Sequence, residues 1–187
     1  MTPSTLRELE DACVPRRYWR LPESPFNAYP RPLGWWDGRE AFAAAGLGMV
    51  VFDDGRDCLP SAVEVFKRLL ADPECPAPTG GPAYPLLYLE AADLCRGDFR
   101  AQDEVVTNAG DAAYLLVANA GASGVRREGD VLRTLLLARH GRGQVTFLHV
   151  VDWDVIERIV QAAPLTRFFG VIDVPALGTD DPDPTGD

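Results

Sequence analysis

Apolar positions recur along the chain first at helical and then at strand intervals. Leu6, Leu9 and Cys13 repeat at helical spacing behind a Thr5–Glu8 capping box, and Pro15 ends that short helix. Asp37 and Glu40 cap Ala41, Phe42 and Ala45, with Gly46 placed as the stop. Leu47 to Phe52 reads as a strand, and Asp53, Asp54 and Gly55 as the turn that closes it. Ser61 and Glu64 then predict the start of a helix with Val63, Phe66 and Leu70 on one face. A Pro- and Gly-rich loop over 72–85 leads into a strand over 86–89.

Three apolar runs follow, 113–118, 131–138 and 145–151, separated by glycine turns at 121–124 and 141–143. This spacing predicts an antiparallel meander. Leu132, Leu135 and Leu136 also suit a helix; we read that run as a strand. Asp154 and Glu157 cap a helix bearing Val155, Ile159 and Val160, which Pro164 ends, and a last strand covers 168–174. The fold class predicted is α+β, a single domain over 1–177 with a largely antiparallel sheet and helices packed against it. Phe66, Leu70, Leu116, Phe147, Val151 and Ile159 are expected in one core.

Two segments lack either period. Residues 15–36 interleave five prolines with Tyr18, Trp19, Phe26, Tyr29, Trp35 and Trp36, which predicts an extended strap. Its aromatics either plug the core or, through Trp35 and Trp36, offer a partner a surface. The acidic end, 178–187, is expected to be a disordered tail.

Charge narrows the partners. The formal net charge is −10, from 28 acidic against 18 basic residues, and such a field repels nucleic acid and anionic membranes. No apolar run is long enough to span a bilayer. Cys13, Cys58, Cys75 and Cys95 lie far apart without a zinc-type pairing, so neither a metal nor a cofactor is expected. The N-terminus shows no basic segment followed by an apolar run, which points to the cytoplasm.

Candidate chemistry is sparse. The run Met49 to Gly55 resembles the strand-plus-aspartate opening of haloacid dehalogenase-type phosphatases, which need two aspartates one residue apart. Here Asp53 and Asp54 are adjacent, and in extended geometry they point to opposite sides. His140 reads as part of a hairpin turn and His149 as a satisfied structural residue inside a strand. Ser4 and Ser61 read as helix caps, and Ser123 lacks a nucleophile elbow. Arg126, Arg127, Arg139 and Arg142 read as hairpin-loop cations that are solvated or paired with Glu128 and Asp130. No catalytic residue is assigned, and an enzyme is not expected. Asp53, Asp54, Asp57, Asp98, Asp103 and Glu104, all in expected loops, are the candidate acidic contacts for a partner.

From Leu59 and Pro60, through a helix bearing Phe66, to Gly80 and Gly81, the chain resembles the opening of the SMI1/KNR4, or SUKH, superfamily. The acidic strand Leu86 to Asp93 and the run Tyr114 to Gly124 are similar to the segments that follow in that family. Strands over 131–138 and 145–151 and a helix over 154–163 would complete the match, which spans about residues 59–163. Thr79 stands where the family usually has an Asn, and the loop before the glycines is longer. The resemblance implies a binding protein, commonly an immunity protein that occludes a secreted toxin domain, with no catalytic residues to carry over. Two alternatives stand beside it: a phosphatase-like enzyme or pseudoenzyme using Asp53 and Asp54, and a regulatory or viral adaptor using the strap.

Overall fold

The computed structural model describes residues 3–20, 30–53, 57–71, 86–124, 126–152 and 167–173. Helix α1 (Pro3–Asp11) and a 3-10 turn (Arg16–Tyr18) come first, followed by α2 (Pro30–Asp37), α3 (Arg39–Ala44) and strand β1 (Gly48–Phe52). Helix α4 (Leu59–Ala71), strand β2 (Leu86–Glu90) and a second 3-10 turn (Ala91–Cys95) come next. Then α5 (Phe99–Asp111), β3 (Tyr114–Ala120), α6 (Arg126–Gly141), β4 (Val145–Val150) and β5 (Phe169–Asp173) complete the described elements.

The strands form one sheet in the order β2-β3-β4-β1-β5, and every neighbouring pair is parallel. The expected antiparallel meander is therefore overturned: this is an α/β arrangement. Its physical reason lies in two helices. Residues 131–138 belong to α6, where Leu132, Leu135, Leu136 and Arg139 form a buried stripe at positions i, i+3, i+4 and i+7. Helix α5 occupies a segment read as loop. With a helix between each pair of successive strands from β1 to β4, the chain returns to the same end of the sheet every time and the strands run parallel.

Both faces of the sheet are covered, so strand residues are buried whichever way they point. Met49, Val51, Leu116, Val145 and Phe147 meet α1, α2 and α4 on one face. Their alternates Val50, Leu115, Val117, Leu148 and Val150 meet α5 and α6 on the other. Phe66, Leu116 and Phe147 share the first of these cores with Leu70 at its margin, whereas Val151 is only half-buried and Ile159 lies outside the described residues. Gly48 begins β1 where the strand runs close to β4: a Cβ there would lie 1.6 Å from the Thr146 carbonyl oxygen.

Other local expectations change as well. Much of the 15–36 strap is helical, as the 3-10 turn and α2, while residues 21–29 lie outside the described ones. Trp35 of α2 is fully buried, edge-on to Phe147 with ring centroids 4.7 Å apart. Asp37 ends α2 rather than capping α3, whose N-cap is Gly38. Helix α4 starts two residues before Ser61, whose hydroxyl donates to the Cys58 carbonyl rather than capping the helix. The expected helix over 154–163 and the 178–187 tail lie outside the described residues.

Candidate functional site

From β1 the chain crosses through α4 to the far edge at β2, then steps back through β3 and β4 until β4 lies beside β1. Helix α4 lies on one face, α5 and α6 on the other. Where the strand order reverses in this way, the loops part at the carboxyl ends of the strands, and a crevice opens that α/β proteins use for ligands. A row of polar side chains crosses that end.

The row follows the strands in their order in the sheet. On β2, Tyr88 donates its hydroxyl to Glu90 Oε1 at 2.6 Å. On β3, Asn119 Nδ2 donates to Glu90 Oε2 at 2.7 Å. The Asn119 backbone N–H donates across to His149 Nδ1 on β4 at 3.2 Å. His149 Nε2 lies 4.0 Å from Asp53 Oδ2, one residue past the end of β1.

A bulge makes the row possible. Val117 pairs with Leu148 but Ala120 pairs with Val150, so β3 carries one residue more than β4 between these pairs. Asn119 takes up the excess at φ 58°, a left-handed conformation that asparagine tolerates better than most residues. Its N–H thus turns from the ladder to the imidazole. Gly121, at φ 94°, follows where a Cβ would fall 2.5 Å from the Asp152 Cβ.

In front of the row lies a cavity of about 470 Å³ lined by Arg17, Tyr18, Asp57, Leu59, Pro60 and Asn119. The Arg17 guanidinium lies over the Tyr18 ring at 4.8 Å and 3.9 Å from Glu90. Burial pushes the hydroxyls of both Tyr18 and Tyr88 up from the ordinary tyrosine range, so they stay protonated donors.

His149 is 1 % exposed. Burial pulls its pKa down, against the opposing pull of Asp53, Asp57 and Glu90, so the ring is neutral at pH 7. Because Nδ1 accepts a backbone N–H, the single ring proton of the neutral imidazole is on Nε2. Among the described residues neither that Nε2 nor Asp53 Oδ1 has a hydrogen-bond partner, although both are buried. His149 is thus a buried strand residue with one ring nitrogen engaged by the backbone. With Nδ1 engaged as an acceptor, the ring has no lone pair at Nε2 to offer a metal. Among the described residues no group of three or more His, Cys, Asp or Glu side chains is arranged to hold a metal ion.

Phosphate is poorly served at the same end. Glu128, in the first turn of α6 and fully buried, accepts from the Gly121 N–H at 2.6 Å and from the Ser123 hydroxyl. The chain's own carboxylate thus takes up the donors of the loop that leads into that helix. Asp98 caps α5 itself, accepting from the Ala101 N–H at 2.9 Å.

The acidic candidates fall at this end. Asp57 lines the cavity and Asp53 follows the end of β1, while Asp98, Asp103 and Glu104 lie on the N-cap and in the N-terminal half of α5, which follows β2. Asp54 lies outside the described residues. Trp35 is core, and Trp36 is half-buried with the Arg39 and Arg68 guanidiniums 4.6 and 5.9 Å from its ring centre. Glu90, Asn119, Tyr88 and Arg17 were missed; an asparagine just before a small-residue turn, and a glutamate ending an apolar run, were the available signals. Arg139 is no loop cation but fully buried. Among the described residues no helix is long and apolar enough to cross a membrane. No family model matches the chain, and no curated protein matches it.

Proposed function

We propose that this chain is a protein-binding factor of the immunity or antitoxin kind, engaging a basic partner through the carboxyl end of its sheet. One observation carries the reading: Asp53, Asp57 and Glu90 lie at the carboxyl end of the sheet, which also holds the crevice, and Asp98, Asp103 and Glu104 stand in the N-terminal half of α5, which leaves that end. Carboxylates gathered at one end steer a cationic partner far more effectively than the same charges scattered. The strap-based adaptor gains nothing comparable, since Trp35 is committed to the core.

The test compares the two ends of the sheet. Hexalysine and hexaglutamate peptides are titrated against the protein and against Asp53→Asn/Asp57→Asn, with Asp111→Asn at the opposite end as control. The expected result is hexalysine binding that falls about tenfold in the double variant, little in the control, and steeply with salt. Equal loss in both variants means that the net charge alone is responsible and sinks the reading.

A second reading, an enzyme acting through Asp53, is favoured by that residue's place at the end of a parallel strand beside a neutral histidine. Its phosphoester version is opposed by Asp98, which caps α5, and by Glu128, which occupies the donors of the loop before α6.

A further inference from the structure

The cavity in front of the polar row takes its walls from separate parts of the chain. Arg17 and Tyr18 come from the first 3-10 turn, Asp57, Leu59 and Pro60 from the segment that leads from β1 into α4, and Asn119 from the bulge in β3. Its volume of about 470 Å³ is that of a small-molecule site. Among the described residues its lining carries one charge of each sign, Arg17 and Asp57, with the Asn119 amide and the apolar Leu59 and Pro60. A simple anion would meet Asp57 there, and a simple cation would meet Arg17. The complement of such a lining is a molecule that bears both charges and an apolar part.

Neighbouring residues hold these polar groups in place. Tyr18 is buried and packs against Tyr88 with ring centroids 6.4 Å apart, and the Arg17 guanidinium lies over its ring at 4.8 Å. Glu90, outside the lining, stands 3.9 Å from Arg17 and accepts from Asn119 Nδ2 at 2.7 Å. Because a carboxylate only accepts, the Asn119 nitrogen must face Glu90, and the amide oxygen is the end that serves a donor. Arg17 is 64 % exposed, and a guanidinium has N–H donors enough to take a second carboxylate beside Glu90. Besides burial, the Tyr18 hydroxyl feels both charges of the lining, Arg17 drawing its pKa down and Asp57 pushing it up. We propose that this cavity binds a small zwitterion, an amino acid or a short peptide with both ends free. Its carboxylate faces Arg17, its ammonium faces Asp57 and Asn119, and its apolar side chain lies on Leu59 and Pro60. The site stands apart from the protein-binding reading, which rests on the excess of acids at this end and has no use for Arg17.

Calorimetric titration of the full chain tests it, with L-leucine, L-leucyl-L-leucine, L-leucinamide and N-acetyl-L-leucine as probes. Leucine or the dipeptide is expected to bind saturably, in the millimolar range or tighter, as suits so small a ligand. The tighter of the two tells a free amino acid from a peptide. Leucinamide, lacking the carboxylate, and N-acetylleucine, lacking the ammonium, should each bind about tenfold more weakly. Arg17→Gln should weaken the zwitterion about tenfold without weakening leucinamide, and Asp57→Asn should do so without weakening N-acetylleucine. Both side chains are exposed, so neither variant endangers folding. No saturable binding of either zwitterion, leucinamide or N-acetylleucine binding as tightly as leucine, or a variant that weakens every probe alike would each overturn the assignment. Hexalysine binding should not fall in Arg17→Gln. Zwitterion binding that fails while hexalysine binding persists would dispose of this site and leave the protein-binding proposal standing.

Discussion

Arg139 and His149 are two nearly fully buried polar side chains at opposite ends of the same pair of strands, and the fold treats them differently. At the amino ends of β3 and β4, Arg139 donates to Thr146 Oγ1 at 2.8 Å and to the carbonyls of Ala109, Ala112 and Val145, each at 2.6 Å, with Ala113 at 3.4 Å. Burial, helped by neighbouring Arg142, pulls its pKa down to about 9, which leaves it charged at neutral pH. No carboxylate is needed: the carbonyls ending α5 supply the negative end of a helix dipole. At the carboxyl end, His149 has one nitrogen satisfied and one orphaned. A fully satisfied buried group closes a structure, whereas a partly satisfied one is costly unless something else uses it.

The largest effect should come from the amino end. Arg139→Leu leaves the carbonyls of Ala109, Ala112 and Val145 without their donor and loosens α5 and α6 from the sheet. A loss of about 3–5 kcal/mol is expected in chemical denaturation, or no folding at all. A loss under about 1 kcal/mol would mean that the guanidinium is not the staple described here.

His149→Leu should cost far less, about 1 kcal/mol. It removes an orphaned donor but strands the Asn119 N–H that Nδ1 now accepts. Asp53→Asn, one residue beyond β1 and a quarter exposed, should change stability at neutral pH by under about 0.5 kcal/mol. Should His149→Leu prove as damaging as Arg139→Leu, the distinction between a closed end and an open one would collapse.

The same contrast explains what the chain revealed before its fold was known. Strands β1, β2, β4 and β5 and helix α4 stand close to where apolar runs and helical spacing put them, because each is short and its flanking turn residues are unambiguous. Helix α6 was misread because glycine turns bracket it and its leucines satisfy both periods. Its buried arginine completes the helical stripe, but a charge at a core position looks like a break in the pattern. Helix α5 was invisible for a related reason: Asn108, Gly110 and the charges at Asp103 and Glu104 dilute an apolar face made largely of Val105, Val106 and Ala109. Losing these two helices turned a parallel sheet into an antiparallel one. Asp53 and Asp57 were legible as acids in turns. That the carboxyl end gathers them with Glu90, Asn119 and His149 depends on strand order and on a one-residue bulge, neither of which is written in local spacing.

The smallest effect expected is a pH dependence, and its sign distinguishes the two ends. Arg139, with a pKa of about 9, is charged in both the folded and the unfolded chain throughout the mildly acidic range, so it contributes nothing to stability changes there. His149 does contribute. Its folded pKa is lowered by burial, and unfolded histidine titrates near about 6.5. As pH falls through that value the unfolded chain takes up a proton that the folded chain refuses, so stability is lost on acidification and is fully present above it. Asp53, Asp57 and Glu90 pull the other way by favouring the imidazolium. Removing one of them should therefore deepen the loss. Denaturation midpoints between pH 7.5 and 5.5, above the range in which carboxylates titrate, are expected to fall in the native chain, to fall more in Asp53→Asn, and to stay flatter in His149→Leu. A shallower slope in Asp53→Asn than in the native chain would show that Asp53 does not act on the buried imidazole, and would detach β1 from the polar row at the carboxyl end.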